Sequence, residues 1–259
     1  MKFSIITPTF RRHEKLIRAV ESLRAQTYKD WEMIIVNDSP SDETYKEFAS
    51  SINDPRIHYY VNQHNKGVNY TRNNALDKLS ADSKWVIFLD DDDYLAPDTL
   101  SEFAYLIQYN QSTKWFLTNR TYTNGKPITQ VSPGVTYFSY ITDYLLFKKI
   151  KGDATHCIET KLITQEQVRF SHFVKQGEEW FFFYQLGLLT KIFYHDHNST
   201  ITDGYDAHSG LNFRKRTRAE QFETISTLLF EGVHKRLVFH ISFISYIVLR
   251  YEKVLFSFK

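Results

Sequence analysis

The feature that most restricts this chain is a series of short, nearly continuous apolar runs, each closed by a polar cluster and followed by a segment of helical periodicity. Lys2–Thr7 (KFSIIT) stops at Pro8, Trp31–Val36 (WEMIIV) ends in Asn37-Asp38, and Lys84–Leu89 (KWVIFL) runs straight into Asp90, Asp91, Asp92 and Asp93. Between the first two runs, Leu16, Ile17, Val20 and Leu23 recur at helical spacing over His13–Gln26. Ser41–Ser50, capped by Ser41 or Asp42, and Asn69–Leu79 read as further helices, with a shorter strand over Arg56–Val61. Runs apolar on both faces and separated by helices specify an α/β chain with a mainly parallel sheet covered on both sides. Ligands of such sheets bind beyond the carboxyl ends of the strands. Thr7-Pro8-Thr9, Asn37-Asp38 and the aspartate run all fall there.

Beyond Leu100 the pattern changes. Phe116–Tyr122 and Ile128–Val131 flank Asn124-Gly125, a hairpin signal, and a mixed region follows to Asp203. From Arg218 the chain reads as helices, with Gly232 as the expected break. Residues 214–259 hold nine Lys and Arg against four Glu, a net +5 that leaves −3 for the rest of a chain whose total is +2. A basic tail on a mildly acidic body argues against a nucleic-acid binder, whose basic surface belongs on the body. The single cysteine, Cys157, rules out an intrachain disulfide and a cysteine-rich zinc site. With no basic-then-apolar leader at Met1, the expected location is cytoplasmic. Leu237–Leu249 (LVFHISFISYIVL) is too short to span a bilayer. Its basic flanks leave two readings: a segment lying peripherally on an anionic membrane, or a helix packed on its own domain or on a dimer partner.

No G-x-G-x-x-G occurs among the nine glycines, and no G-K-[ST], so neither a dinucleotide site nor a P-loop is written here. Four successive carboxylates repel one another and are relieved by a cation. Oxygen ligands of this kind suit Mg²⁺ or Mn²⁺. Taken alone, the run is equally well a solvated acidic turn.

Five segments in order resemble the family 2 glycosyltransferases: SIITPTFRR from Ser4, IIVNDSPSDET from Ile34, NKGVNYTRNNAL from Asn65, FLDDDDYLAPDTL from Phe88, and QGEEWFFFYQL from Gln176. That family is similar to the bacterial enzymes of surface-polysaccharide synthesis. The resemblance implies a GT-A fold over residues 1–213, with a nucleotide-sugar half (1–110), an acceptor half (111–213) and a basic helical segment (214–259). It implies an inverting transfer of a sugar from a nucleotide diphosphate, a UDP-sugar first, to a hydroxyl of a glycan or lipid-linked acceptor. It places Pro8, Thr9, Arg11, Asp38, Lys66, Gly67, Arg72, Asp90 and Asp91 against the donor, and Asp92 with Asp90 at an Mn²⁺ or Mg²⁺ ion. The general base becomes Glu179, where the family has Asp, or its neighbour Glu178. His208 resembles a histidine on a loop closing over the diphosphate, and His156 is a candidate for the acceptor cleft, although a structural role is the commoner fate of a lone histidine.

Two other readings stand beside this one. A phosphatase of the Asp-x-Asp type would use Asp90 as nucleophile and Asp92 as acid, but such a motif belongs on the first strand. A catalytically inactive sugar-nucleotide binder or membrane-assembly protein is favoured only by Glu at position 179.

Overall fold

The computed structural model describes residues 1–203 and 216–256. Its strands are β1 (Lys2–Thr9), β2 (Trp31–Asn37), β3 (Ile57–Val61), β4 (Ser83–Phe88), β5 (Asp93–Leu95), β6 (Trp115–Tyr122), β7 (Gln130–Val131), β8 (Tyr137–Phe138), β9 (Ile150–Lys151), β10 (Ala154–Glu159) and β11 (Ile192–Thr202). Its helices are α1 (His13–Arg24), α2 (Thr44–Ser51), α3 (Val68–Leu76), α4 (Thr99–Tyr109), α5 (Thr160–Thr164), α6 (Trp180–Gly187), α7 (Arg218–His234) and α8 (Ile241–Phe256).

Among the described residues, nine strands form one sheet in the order β3-β2-β1-β4-β10-β6-β11-β5, with β8 added to β11. The first four are parallel, as the apolar runs require. β10 then runs antiparallel between β4 and β6, so the later part of the chain completes the sheet begun by the earlier part. The two-residue period of a strand sends neighbouring side chains to opposite faces. Ile6, Ile34 and Val86 accordingly join one core, while Ile5, Ile35 and Ile87 join the other. α1 closes the second core with the stripe Leu16, Ala19, Val20 and Leu23. α6 (WFFFYQLG) is apolar nearly all round and is buried in the first.

Two local expectations need correction. Gly125 N–H does donate to Tyr122 O at 2.9 Å, closing the Asn124-Gly125 turn. The returning segment runs back along β6, with Tyr122 N–H on Lys126 O and Ile128 N–H on Arg120 O, both at 2.9 Å, and a bridge from Thr121 to Pro127. Past Thr129 it leaves β6, and β7 pairs with β9 instead. Turn chemistry sets the reversal but not how far the returning strand stays paired. Gly232, expected as a helix break, lies inside α7 because a Cβ there would sit 2.5 Å from the ring of Phe243 on α8. It is a point of close approach between two helices. The break falls at Arg236, in the left-handed region at φ 59°. Trp180, with Phe243 and Tyr246 against it, is core.

Candidate active site

The parallel strands deliver their polar ends to one edge. Thr9 lies opposite Asn37, Asp38 N–H donates to Thr9 O at 2.9 Å, and Leu89 N–H donates to Ile6 O just before the aspartates. Pro8 is buried within β1. A tight turn then closes, with Asp93 N–H on Asp90 O at 3.1 Å, and it sets Asp91 apart from the other three carboxylates.

Asp91 turns inward and has no exposed side-chain surface. It accepts from Thr9 Oγ1 at 2.7 Å and is ion-paired with Arg12 Nη2 at 2.8 Å, and burial pushes its carboxyl up to about 7. Thr9 Oγ1 is shared between Asp91 and Tyr45 Oη. Asp90, Asp92 and Asp93 face one another, with one carboxylate oxygen from each lying within 4.8 Å of the others. Each has its own guanidinium: Arg72 on Asp90 at 2.8 Å, Arg12 on Asp92 at 2.6 Å and Arg120 on Asp93 at 2.7 Å. Burial works to raise the Asp90 carboxyl, but Arg72 and Arg120 hold it below the usual range. Asp93 is raised to about 7 by burial in spite of Arg120. Three convergent oxygen donors fit a hard divalent cation.

Arg72, on α3, is almost fully buried and ties the site together. Its Nη2 donates to Asp90 Oδ1 at 2.8 Å and its Nη1 to Glu179 Oε1 at 3.0 Å. Burial alone would lower its pKa, but the two carboxylates raise it above the ordinary value. Asp38 holds the loop before α3, accepting from Lys66 N–H at 2.9 Å, Gly67 N–H at 2.7 Å and Asn62 Nδ2 at 2.7 Å. Gly67 is required there, since at φ 89° a Cβ would stand 2.4 Å from Lys175 O. Arg11, exposed and at φ 55°, donates its N–H to Ser39 Oγ at 2.9 Å.

The two glutamates part company. Glu179 is 42 % exposed and faces the aspartates through Arg72. Glu178 is 7 % exposed and faces the other way, toward Arg216, Arg250 and Trp180. His156 Nδ1 accepts from Trp115 Nε1 at 3.0 Å and its ring stacks on Phe183 at 4.2 Å. Burial lowers its pKa to about 3, which keeps it neutral in an aromatic wall. His208 lies outside the described residues.

Sequence reasoning missed Arg12, Asp93 with Arg120, and the Arg216–Arg250 pair. The signal for Arg12 was available in principle, because four adjacent acids call for nearby cations and Arg12 lies in SIITPTFRR, the first of the family-like segments. The others depend on contacts between distant parts of the chain.

A family model described as Glycosyl transferase family 2 matches residues 4–164, more than half of the chain. Over 101 residues the chain is 42% identical to the putative colanic acid biosynthesis glycosyl transferase WcaA of Escherichia coli, a match covering 39% of this chain and 36% of that protein. Over 103 residues it is 43% identical to the GalNAc(5)-diNAcBac-PP-undecaprenol beta-1,3-glucosyltransferase of Campylobacter jejuni, covering 39% and 32%. The matched part thus spans about a third of the length of these curated relatives. The crystal structure of S. aureus TarS 1–349 in complex with UDP-GlcNAc superposes with a TM-score of 0.76 at 20% identity, covering 100% of this chain and 74% of that one. At that identity the likeness is one of fold, and the fold is the GT-A architecture expected above.

Proposed function

The chain belongs to glycosyl transferase family 2, and from that premise we propose that it is an inverting, divalent-metal-dependent transferase. It moves a sugar from a nucleotide diphosphate, a UDP-sugar first, to an acceptor hydroxyl in the synthesis of a bacterial surface glycan. The observation that carries this reading is the Arg72 bridge, in which one buried guanidinium holds a donor-side carboxylate, Asp90, and an exposed carboxylate, Glu179, in fixed relation. In this assignment Pro8, Thr9, Asp38, Lys66 and Gly67 frame the nucleotide within residues 1–110, and residues 111–213 frame the acceptor.

Asp90, Asp92 and Asp93 would hold Mn²⁺ or Mg²⁺, which when bound neutralises charge growing on the departing nucleoside diphosphate. Glu179 accepts the proton of the acceptor hydroxyl on the oxygen that Arg72 leaves free, Oε2. The acceptor oxygen bonds to the anomeric carbon as the bond to the diphosphate oxygen breaks, and one displacement inverts the centre. A relative named for a PP-undecaprenol substrate supports a lipid-linked acceptor.

The segment 214–259 adds a peripheral membrane contact. No helix among the described residues is long and apolar enough to cross a bilayer. α8, however, is apolar on two faces. Phe243, Ile247 and Val254 are buried, while Ile241, Ile244, Val248, Leu249 and Leu255 face outward at helical spacing with Arg236 and Lys253 nearby in sequence. An apolar face in a segment of net +5 suits an anionic lipid surface.

The test is a melting screen of the purified chain with sugar nucleotides, each with Mn²⁺, Mg²⁺ or chelator. A ligand that binds only the folded state must raise the melting temperature. A rise with one sugar nucleotide that chelation abolishes supports the proposal and identifies the donor. No rise with any, together with phosphate release from a simple monoester, would replace it with the phosphatase reading.

A further inference from the structure

We propose that the C-terminal segment positions the candidate base, through a clamp in which Arg216, just before α7, and Arg250, on α8, hold the carboxylate of Glu178. The role given to Glu179 rests on the transferase reading above, whereas the clamp stands on contacts alone.

Gly177 and Glu178 are both in the left-handed region, at φ 69° and 64°. Glycine accepts that conformation freely, but for a residue with a Cβ it costs roughly 1–2 kcal/mol, so Glu178 must be held there. Three donors reach its carboxylate: Arg216 Nη1 at 3.1 Å, Arg250 Nη2 at 2.7 Å and Trp180 Nε1 at 2.6 Å. Arg216 also donates through Nη2 to Gln176 O at 2.7 Å, gripping the same turn by its backbone. On the opposite side Asn69, on α3, donates to Val174 O at 2.7 Å and to Gly177 O at 3.0 Å. The turn that starts α6 is therefore fastened to α3 on one side and to the C-terminal segment on the other.

The consequence for Glu179 follows from its place in the chain. It is the next residue, already in helical conformation at φ −56°, and its side chain leaves on the side of Arg72 because Glu178 leaves on the side of Arg250. If Glu178 is released, the turn relaxes toward right-handed backbone and Glu179 swings with it. A misplacement of about 1 Å in a reacting group can cost on the order of a hundredfold in rate. Arg250 and Arg216 are thus positioning residues, acting on Glu179 through the turn they hold.

The experiment uses the full chain and three variants: Arg250→Met, Arg250→Lys and Glu178→Gln. Hydrogen–deuterium exchange is read first because it needs no activity. Residues 174–183 should exchange faster in Arg250→Met and in Glu178→Gln, with α3 at its wild-type rate and Arg250→Lys in between. In transfer assays kcat should fall roughly tenfold to a hundredfold in Arg250→Met. Its donor KM and its melting shift with UDP and Mn²⁺ should hold, and Arg250→Lys should recover part of the loss. Wild-type exchange over 174–183 in both Arg250→Met and Glu178→Gln overturns the clamp. So does a parallel loss of kcat and donor affinity, which marks general unfolding. A wild-type chain that transfers nothing would sink the transferase reading and leave exchange to decide the clamp.

Discussion

The aspartate cluster and the outer face of α8 are opposites in how they are completed. In the cluster every carboxylate already has a guanidinium from elsewhere in the fold: Arg12 on Asp91 and Asp92, Arg72 on Asp90, and Arg120 on Asp93. On α8 the outward side chains Ile241, Val248 and Leu255 have no apolar surface laid over them in the described chain. The first region is electrostatically closed by the protein itself, so any cation must compete with arginines for oxygens they already hold. The second is left open and is completed only by something that brings its own apolar surface. In the function proposed above, the first region exchanges ionic partners and the second adheres to an apolar surface.

The contrast can be broken first at the cluster. Asp92→Asn should abolish the metal-dependent part of donor binding, read as loss of the Mn²⁺-dependent melting shift. A retained shift would move the cation away from Asp92. Glu179→Gln should lower transfer by about 10²- to 10⁴-fold, the usual contribution of a general base, with donor binding intact by calorimetry. Undiminished transfer would remove Glu179 from the chemistry. At the α7–α8 junction, Gly232→Ala should destabilise by roughly 1–3 kcal/mol through overpacking on Phe243, with a lower melting temperature and little change in donor affinity. The smallest stability effect is expected on the open face. Val248→Ser with Leu255→Ser should change stability by only about 0.5 kcal/mol per site while reducing co-sedimentation with anionic vesicles. Vesicle binding that survives both changes would leave the face to a protein partner.

What could be read in advance follows the range of the forces involved. β1, β2 and β4 were legible because burial on both faces writes an apolar run directly into the chain, and the aspartates were legible because they follow the run Lys84–Leu89 without a gap. Four adjacent acids call for cations, but which arginine meets which acid was not legible, since Arg12 meets Asp92 across 80 positions and spacing along the chain does not assign that pairing. The choice between Glu178 and Glu179 was open for a related reason. The left-handed backbone at Glu178 sends adjacent side chains to opposite sides of the turn, and nothing in the local residue pattern marks a non-glycine for that conformation. The turn at Asn124-Gly125 and its first return along β6 were legible, but the departure of β7 to β9 was not, because that pairing is set by tertiary packing.

The short strand β5 has a consequence for how the molecule is made. It begins at Asp93 and is seated by β11, with Asp93 opposite Thr202, Tyr94 opposite Ile201 and Leu95 opposite Thr200. On a ribosome adding roughly 5–20 residues per second, the aspartates emerge several seconds before the strand that secures their far end. Through that interval the turn has its earlier partners, with Arg18 donating to Asp92 O at 2.9 Å and Leu95 N–H to Ser22 Oγ at 3.1 Å, but not its sheet neighbour. Seating β5 in the sheet is therefore a late step of synthesis, completed only when β11 arrives.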